Sequence, residues 1–101
     1  MMNQRSPEQC TSIEDVRSEI DKLDQEIISL LGKRFLYVKE IMKFKSNNEE
    51  IYARERYNQV IKSRRELASK HGLSPDIIER VYTLLISYFI EEEQKILNAK
   101  K

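Results

Sequence analysis

The chain has 101 residues, 40% hydrophobic and 35% charged, with two glycines and two prolines. Its 18 Lys and Arg against 17 Asp and Glu leave a net charge of +1, without the basic excess that a nucleic-acid or anionic-membrane partner favours. Cys10 and His71 are the only cysteine and histidine, which excludes an intrachain disulfide and a multi-thiol metal site and argues against a zinc-binding histidine pair or a Ser–His triad.

The opening MMNQRSPEQCTS has no apolar core, so no signal peptide is expected, and no later run reaches transmembrane length. The expected compartment is the cytoplasm. Residues 1–10 are expected to be a disordered or extended segment within one domain spanning 1–101. Thr11 and Ser12 are candidate N-caps, and Thr11 with Glu14 fits a capping box. From Ile13 the apolar positions Val16, Ile20, Leu23, Ile27, Leu31, Val38 and Ile41 recur at helical spacing, with Arg34 filling the gap in the stripe. The pattern persists to about Phe44 or Lys45, where SNNEE (46–50) breaks it.

A second helix is expected from Ala53 to about Lys70, with thin apolar content: Tyr57, Val60, Ile61, Leu67 and Ala68. Gly72 suits a left-handed C-terminal position. Ser74 then caps a third helix with Pro75 at its first position. That helix carries Ile77, Ile78, Val81, Leu84, Leu85, Tyr88, Phe89, Ile96 and Leu97. The expected fold is all-α, with three helices per chain. A first helix near 50 Å long cannot be covered by a 100-residue domain whose radius of gyration is about 13 Å. Its stripe calls for a second chain, most simply in an intertwined homodimer.

Charged residues interrupt these stripes. Arg34 lies mid-helix with Leu30 and Val38 at the places four residues away, so its partner comes from another helix, another chain or a ligand. Lys45 follows Arg34 by eleven residues, about three turns, and points within ~20° of it. Arg17 borders the stripe one turn into the helix, and Glu93 sits between Phe89 and Ile96 in the apolar face of the third. Each has a plain alternative: a snorkelling arginine, a lysine at a helix C-terminus, an acid in a solvated run. Together, three cations and a carboxyl without a catalytic cysteine or histidine suit a compact dicarboxylate and a reaction needing only orientation and electrostatics.

Arg17 followed by ID, then GKRFLYVKEIMKFK, ARER and GLSPDIIERVYTLLISYFIEEEQK, from about Ser6 to Lys95, resembles the all-helical (type II) class of chorismate mutases. Within that class SPEQCTSIEDVRSEID and YVKEIMKFK are most similar to isochorismate-pyruvate lyases. The resemblance implies an intertwined homodimer acting without cofactor or metal. Chorismate would be rearranged to prephenate, or isochorismate split into salicylate and pyruvate, both by pericyclic routes. It further implies that Arg34 binds one substrate carboxylate and that Arg17, from the partner chain, binds the second. Lys45 would donate to the ether oxygen, Glu55 would bind a ring hydroxyl, and Arg54 would add positive field.

Other positions depart from the family pattern. Glu93 stands where most bacterial mutases and the lyase carry glutamine; protonated, as in some fungal mutases, it can donate to the ether oxygen. Ile51 replaces an aspartate of many mutases and Phe89 a small polar residue, both lyase-like, as is the short loop SNNEEIYA. Arg54 points the other way, because the lyase carries proline there. The mutase reading is preferred over the lyase. A non-catalytic helical dimer, with the same arginines in interchain salt bridges, is the reading from another class.

Overall fold

The structure is a computed structural model that describes residues 4–44 and 49–99. It is all-helical, with α1 at Ile13–Ile41, α2 at Glu49–Lys70 and α3 at Pro75–Ala99. Two 3-10 turns, Pro7–Gln9 and Met42–Phe44, complete it, with no strand among the described residues. The chain forms two compact units, Met1–Tyr37 and Val38–Lys101.

In the first unit, α1 starts where Ser12 Oγ accepts the Asp15 N–H at 3.1 Å, the bond expected of an N-cap. Thr11 is one residue outside the helix, and both its N–H and its hydroxyl donate to Asp15 Oδ2, at 3.0 and 2.9 Å. The expected Thr11–Glu14 box is therefore replaced by a Ser12 cap with Asp15 reaching back. Three residues after the cap, a carboxylate overhangs the helix end; Glu14, one residue earlier, does not.

Residues 4–10, expected to be extended or disordered, carry the Pro7–Gln9 turn, and the Gln9 side chain accepts the Ser6 N–H at 2.8 Å. Electrostatics ties this segment to α1. Gln4 donates to Glu26 at 3.4 Å, and Arg5 reaches Asp15 at 2.8 Å and Glu19 at 3.0 Å. Lys22 adds a second cation to Glu19 at 3.1 Å. Hydrogen bonds from Lys22 and then Arg5 hold the Glu19 carboxyl below its usual pKa, so it stays ionised though only 8% exposed. Those from Thr11 and Arg5 hold Asp15 at about 2.

Beside this charged row, the apolar stripe Ile13, Val16, Ile20, Leu23 and Ile27 stays open, from 44% exposed at Val16 to 65% at Ile13. The 29 residues of α1 give a rod about 43 Å long. It ends at Ile41 rather than near Phe44 or Lys45, tightening into the Met42–Phe44 turn as helix C-termini commonly do.

The second unit is built on the α2–α3 hairpin. α2 begins at Glu49, four residues before the expected Ala53. The polar run reads as a break, but glutamate is a good helix former whose charge suits the positive end of a helix. Gly72 takes φ +74°, Leu73 donates to the Ala68 carbonyl at 2.8 Å and Gly72 to that of Ser69 at 3.2 Å, a Schellman stop. Ser74 Oγ then accepts the Ile77 N–H at 3.3 Å, with Pro75 opening α3.

Near that turn Arg65 bridges to Asp76 at 2.9 Å and Glu79 at 3.0 Å, and Arg64 lies 5.6 Å over the Tyr82 ring. Val60 and Ala68 are buried on α2, and the Tyr57 hydroxyl meets Thr83 Oγ1 at 2.9 Å. A second row on α3, Ile77, Val81, Leu84 and Tyr88, remains from 49% to 73% exposed.

The charged row has a pH signature. Asp15 and Glu19 titrate below their ordinary 3.8 and 4.5 when folded. Their contribution is thus complete above about pH 5 and is lost as pH falls towards 2. The melting temperature, followed by circular dichroism, should drop more steeply over that window in the wild type than in Arg5→Ala. Parallel slopes would mean that Arg5 does not hold the two acids.

Candidate active site

The inner face of α3 runs through Ile78, Tyr82, Leu85, Phe89 and Glu93 at steps of three and four. Phe89 is 4% exposed and Glu93 7%. The run Glu91–Glu92–Glu93 turns by about 200° from first to third residue, so Glu91 faces water, Glu92 is half-buried and Glu93 points inward. Burying a carboxyl costs far more than burying the leucine that the same periodicity would accept. The Phe89 ring lies 5.3 Å from that of Tyr88, tilted at 44°.

Ile51 belongs to the first turn of α2, and Arg54 and Glu55 follow it, both exposed. The antiparallel register links Arg65 with Asp76 and Glu79, and Tyr57 with Thr83. Continued away from Gly72, it sets Phe89 level with the first turn of α2 and Glu93 about one turn further on. The hairpin thus gathers four of the expected positions, Arg54, Glu55, Phe89 and Glu93, toward one end, with Ile51 in the same stretch of backbone.

The α1 arginines are not gathered. Arg17 is exposed and Arg34 half-buried. Seventeen positions on one continuous helix put them about 25 Å apart along its axis. Two arginines so separated cannot grip the two carboxylates of one small ring. Lys45 lies outside the described residues. Among the described residues there is no group of three or more His, Cys, Asp or Glu placed to hold a metal ion, and no helix long and apolar enough to cross a membrane.

Two polar links went unforeseen. The Arg5–Asp15–Glu19 contacts join residues 10 and 14 positions apart. Tyr57 read as one more apolar residue of a thin stripe, because its partner Thr83 is fixed only by the hairpin register. A tyrosine in an otherwise weak apolar face is the signal that was available.

The described residues thus form an all-helical protein with arginines on the first helix and a buried carboxyl on the last. Residues 16–94 match the family model for chorismate mutase type II, and the chain belongs to that family. It is 34% identical over 91 residues to an isochorismate pyruvate lyase of Pseudomonas aeruginosa, covering 90% of each chain. It is 44% identical over 71 residues to a T-protein of Haemophilus influenzae, covering 69% of this chain and 19% of that one. With a bifunctional chorismate mutase/prephenate dehydratase of Buchnera aphidicola it shares 34% identity over 83 residues, 81% of this chain and 22% of that protein. The chain therefore spans about the whole of the lyase and about a fifth of the other two.

Proposed function

We propose that the chain is a chorismate mutase, working without a cofactor as a homodimer in the cytoplasm. The observation that carries this reading is Glu93, a carboxyl buried on the inner face of α3 beside Phe89, in a family whose type II mutases rearrange chorismate. The Glu93 side chain faces the ether oxygen, where negative charge develops as the C–O bond breaks. Lys45 donates to the same oxygen. Arg34 grips one carboxylate as a bidentate fork, Glu55 takes a ring hydroxyl, and Arg54 adds positive field; Ile51 and Phe89 shape the apolar wall.

The separation of Arg17 from Arg34 supports a site shared between two chains, with Arg17 supplied by the partner. The open apolar rows on α1 and α3 support the same assembly. Covering the exposed part of an Ile or Leu is worth roughly 1 kcal/mol, and the five stripe residues of α1 are repeated in each copy. That gross gain, on the order of 10 kcal/mol, rivals the net stability of a whole domain.

A second reading, isochorismate-pyruvate lyase, is favoured by the relative of that name that matches 90% of both chains. Both reactions use the same charged set, and one fold hosts either. Separate incubations with chorismate and isochorismate, following prephenate, salicylate and pyruvate, decide between them. Prephenate from chorismate with little salicylate is the expected result; rapid salicylate and pyruvate would make the chain a lyase.

Lys45→Ala should lower kcat on the preferred substrate about 10²-fold or more, near 3 kcal/mol of lost transition-state stabilisation. Near-normal turnover would remove Lys45 from the mechanism.

A further inference from the structure

Tyr57 has no place among the residues assigned to substrate, yet it sits where α2 first takes hold of α3. Among the described side chains of α2, Ala53, Arg54, Glu55 and Arg56 are all exposed, and Tyr57 is the first from the N-terminus that is not. The buried residues Val60 and Ala68 lie on the hairpin-turn side of it. Among the described side chains of α2, Tyr57 is thus the contact with α3 nearest to Arg54 and Glu55.

The nature of the contact matters. Apolar side chains tolerate sliding and rotation of one helix past another, whereas a hydrogen bond falls off steeply with distance and angle. Tyr57 and Thr83 each supply a hydroxyl, 2.9 Å apart and part-buried. That link, together with the Arg65 ion pairs nearer the turn, constrains the rotation of α2 about its axis and its register along α3. Arg54 lies one turn before Tyr57 on the same face, and Glu55 two residues before it. On the other helix, Phe89 and Glu93 follow Thr83 by six and ten residues.

We propose that the Tyr57–Thr83 hydrogen bond is a positioning element for substrate binding, holding Arg54 and Glu55 in register with Phe89 and Glu93. This rests on the mutase or lyase reading of the site. A misplacement of 1 Å in a positioning group is enough to matter kinetically. Arg54 and Glu55 hold the substrate in ground and transition states alike, so the loss falls on KM rather than on kcat.

Tyr57→Phe and Thr83→Val each remove one hydroxyl and keep the side-chain shape. Their kinetics are measured on chorismate and isochorismate, well below the melting temperature of each variant, together with the double variant and Tyr57→Phe in an Arg54→Ala background. Each single change should raise KM about five- to tenfold with kcat within about twofold of wild type. The double variant should be no worse than either single, and Tyr57→Phe should add little once Arg54 is gone. Lowered melting temperatures with unchanged KM would reduce the pair to a structural contact and overturn the inference, as would losses that multiply. A wild type that turns over neither substrate would overturn the functional reading together with this one; normal wild-type turnover with unaffected variants overturns this inference alone.

Discussion

The constraint on which the account depends is the open apolar face of α1. A helix of about 43 Å presents Ile13, Val16, Ile20, Leu23 and Ile27 in one row, each close to half exposed or more. Flanking it, the ion pairs of Arg5, Asp15, Glu19 and Lys22 occupy a neighbouring row and leave the apolar one clear. Such a surface in water is a large standing cost, which two-fold pairing with a second copy of the same helix, as proposed, would remove. The same rod keeps Arg17 about 25 Å from Arg34, so the geometry that favours pairing also favours a site completed by the partner.

The α2–α3 hairpin carries the other residues proposed for the site, and its Arg65 ion pairs cluster at the turn. Arg65, Asp76, Glu79 and the Gly72 stop lock that end. The residues proposed to bind substrate lie at the opposite end, where Arg54 and Glu55 are exposed and Glu93 is buried. A reaction that needs a water-poor, oriented environment but no covalent chemistry fits this division.

Local chemistry was legible from residues alone. Gly72, Ser74 and Pro75 adopt the stop, cap and restart that their backbone preferences dictate, and the period of α3 places Glu93 inward from within a run of three acids. What the sequence did not disclose depends on exact register. Of the two candidate caps of α1 it is Ser12 that serves, and the reach-back role falls to Asp15 rather than Glu14. Glu49 and Glu50 join α2 because helix propensity outweighs the look of a polar break. Arg5 and Tyr57 find their partners across distances that no spacing rule covers. The assigned roles of Arg34, Lys45 and Glu55 came from family resemblance, since periodicity marks a misplaced charge without naming its ligand.

Subunit complementation tests the shared site most directly. Arg17→Ala and Arg34→Ala chains, each inactive alone, are mixed by reversible unfolding so that dimers reassort. A site built from Arg34 of one chain and Arg17 of the other is intact once per mixed dimer, so activity should return to about a quarter of wild type. If both arginines served the same site from one chain, every mixed dimer would carry two broken sites, and the mixture would stay as inactive as its parents.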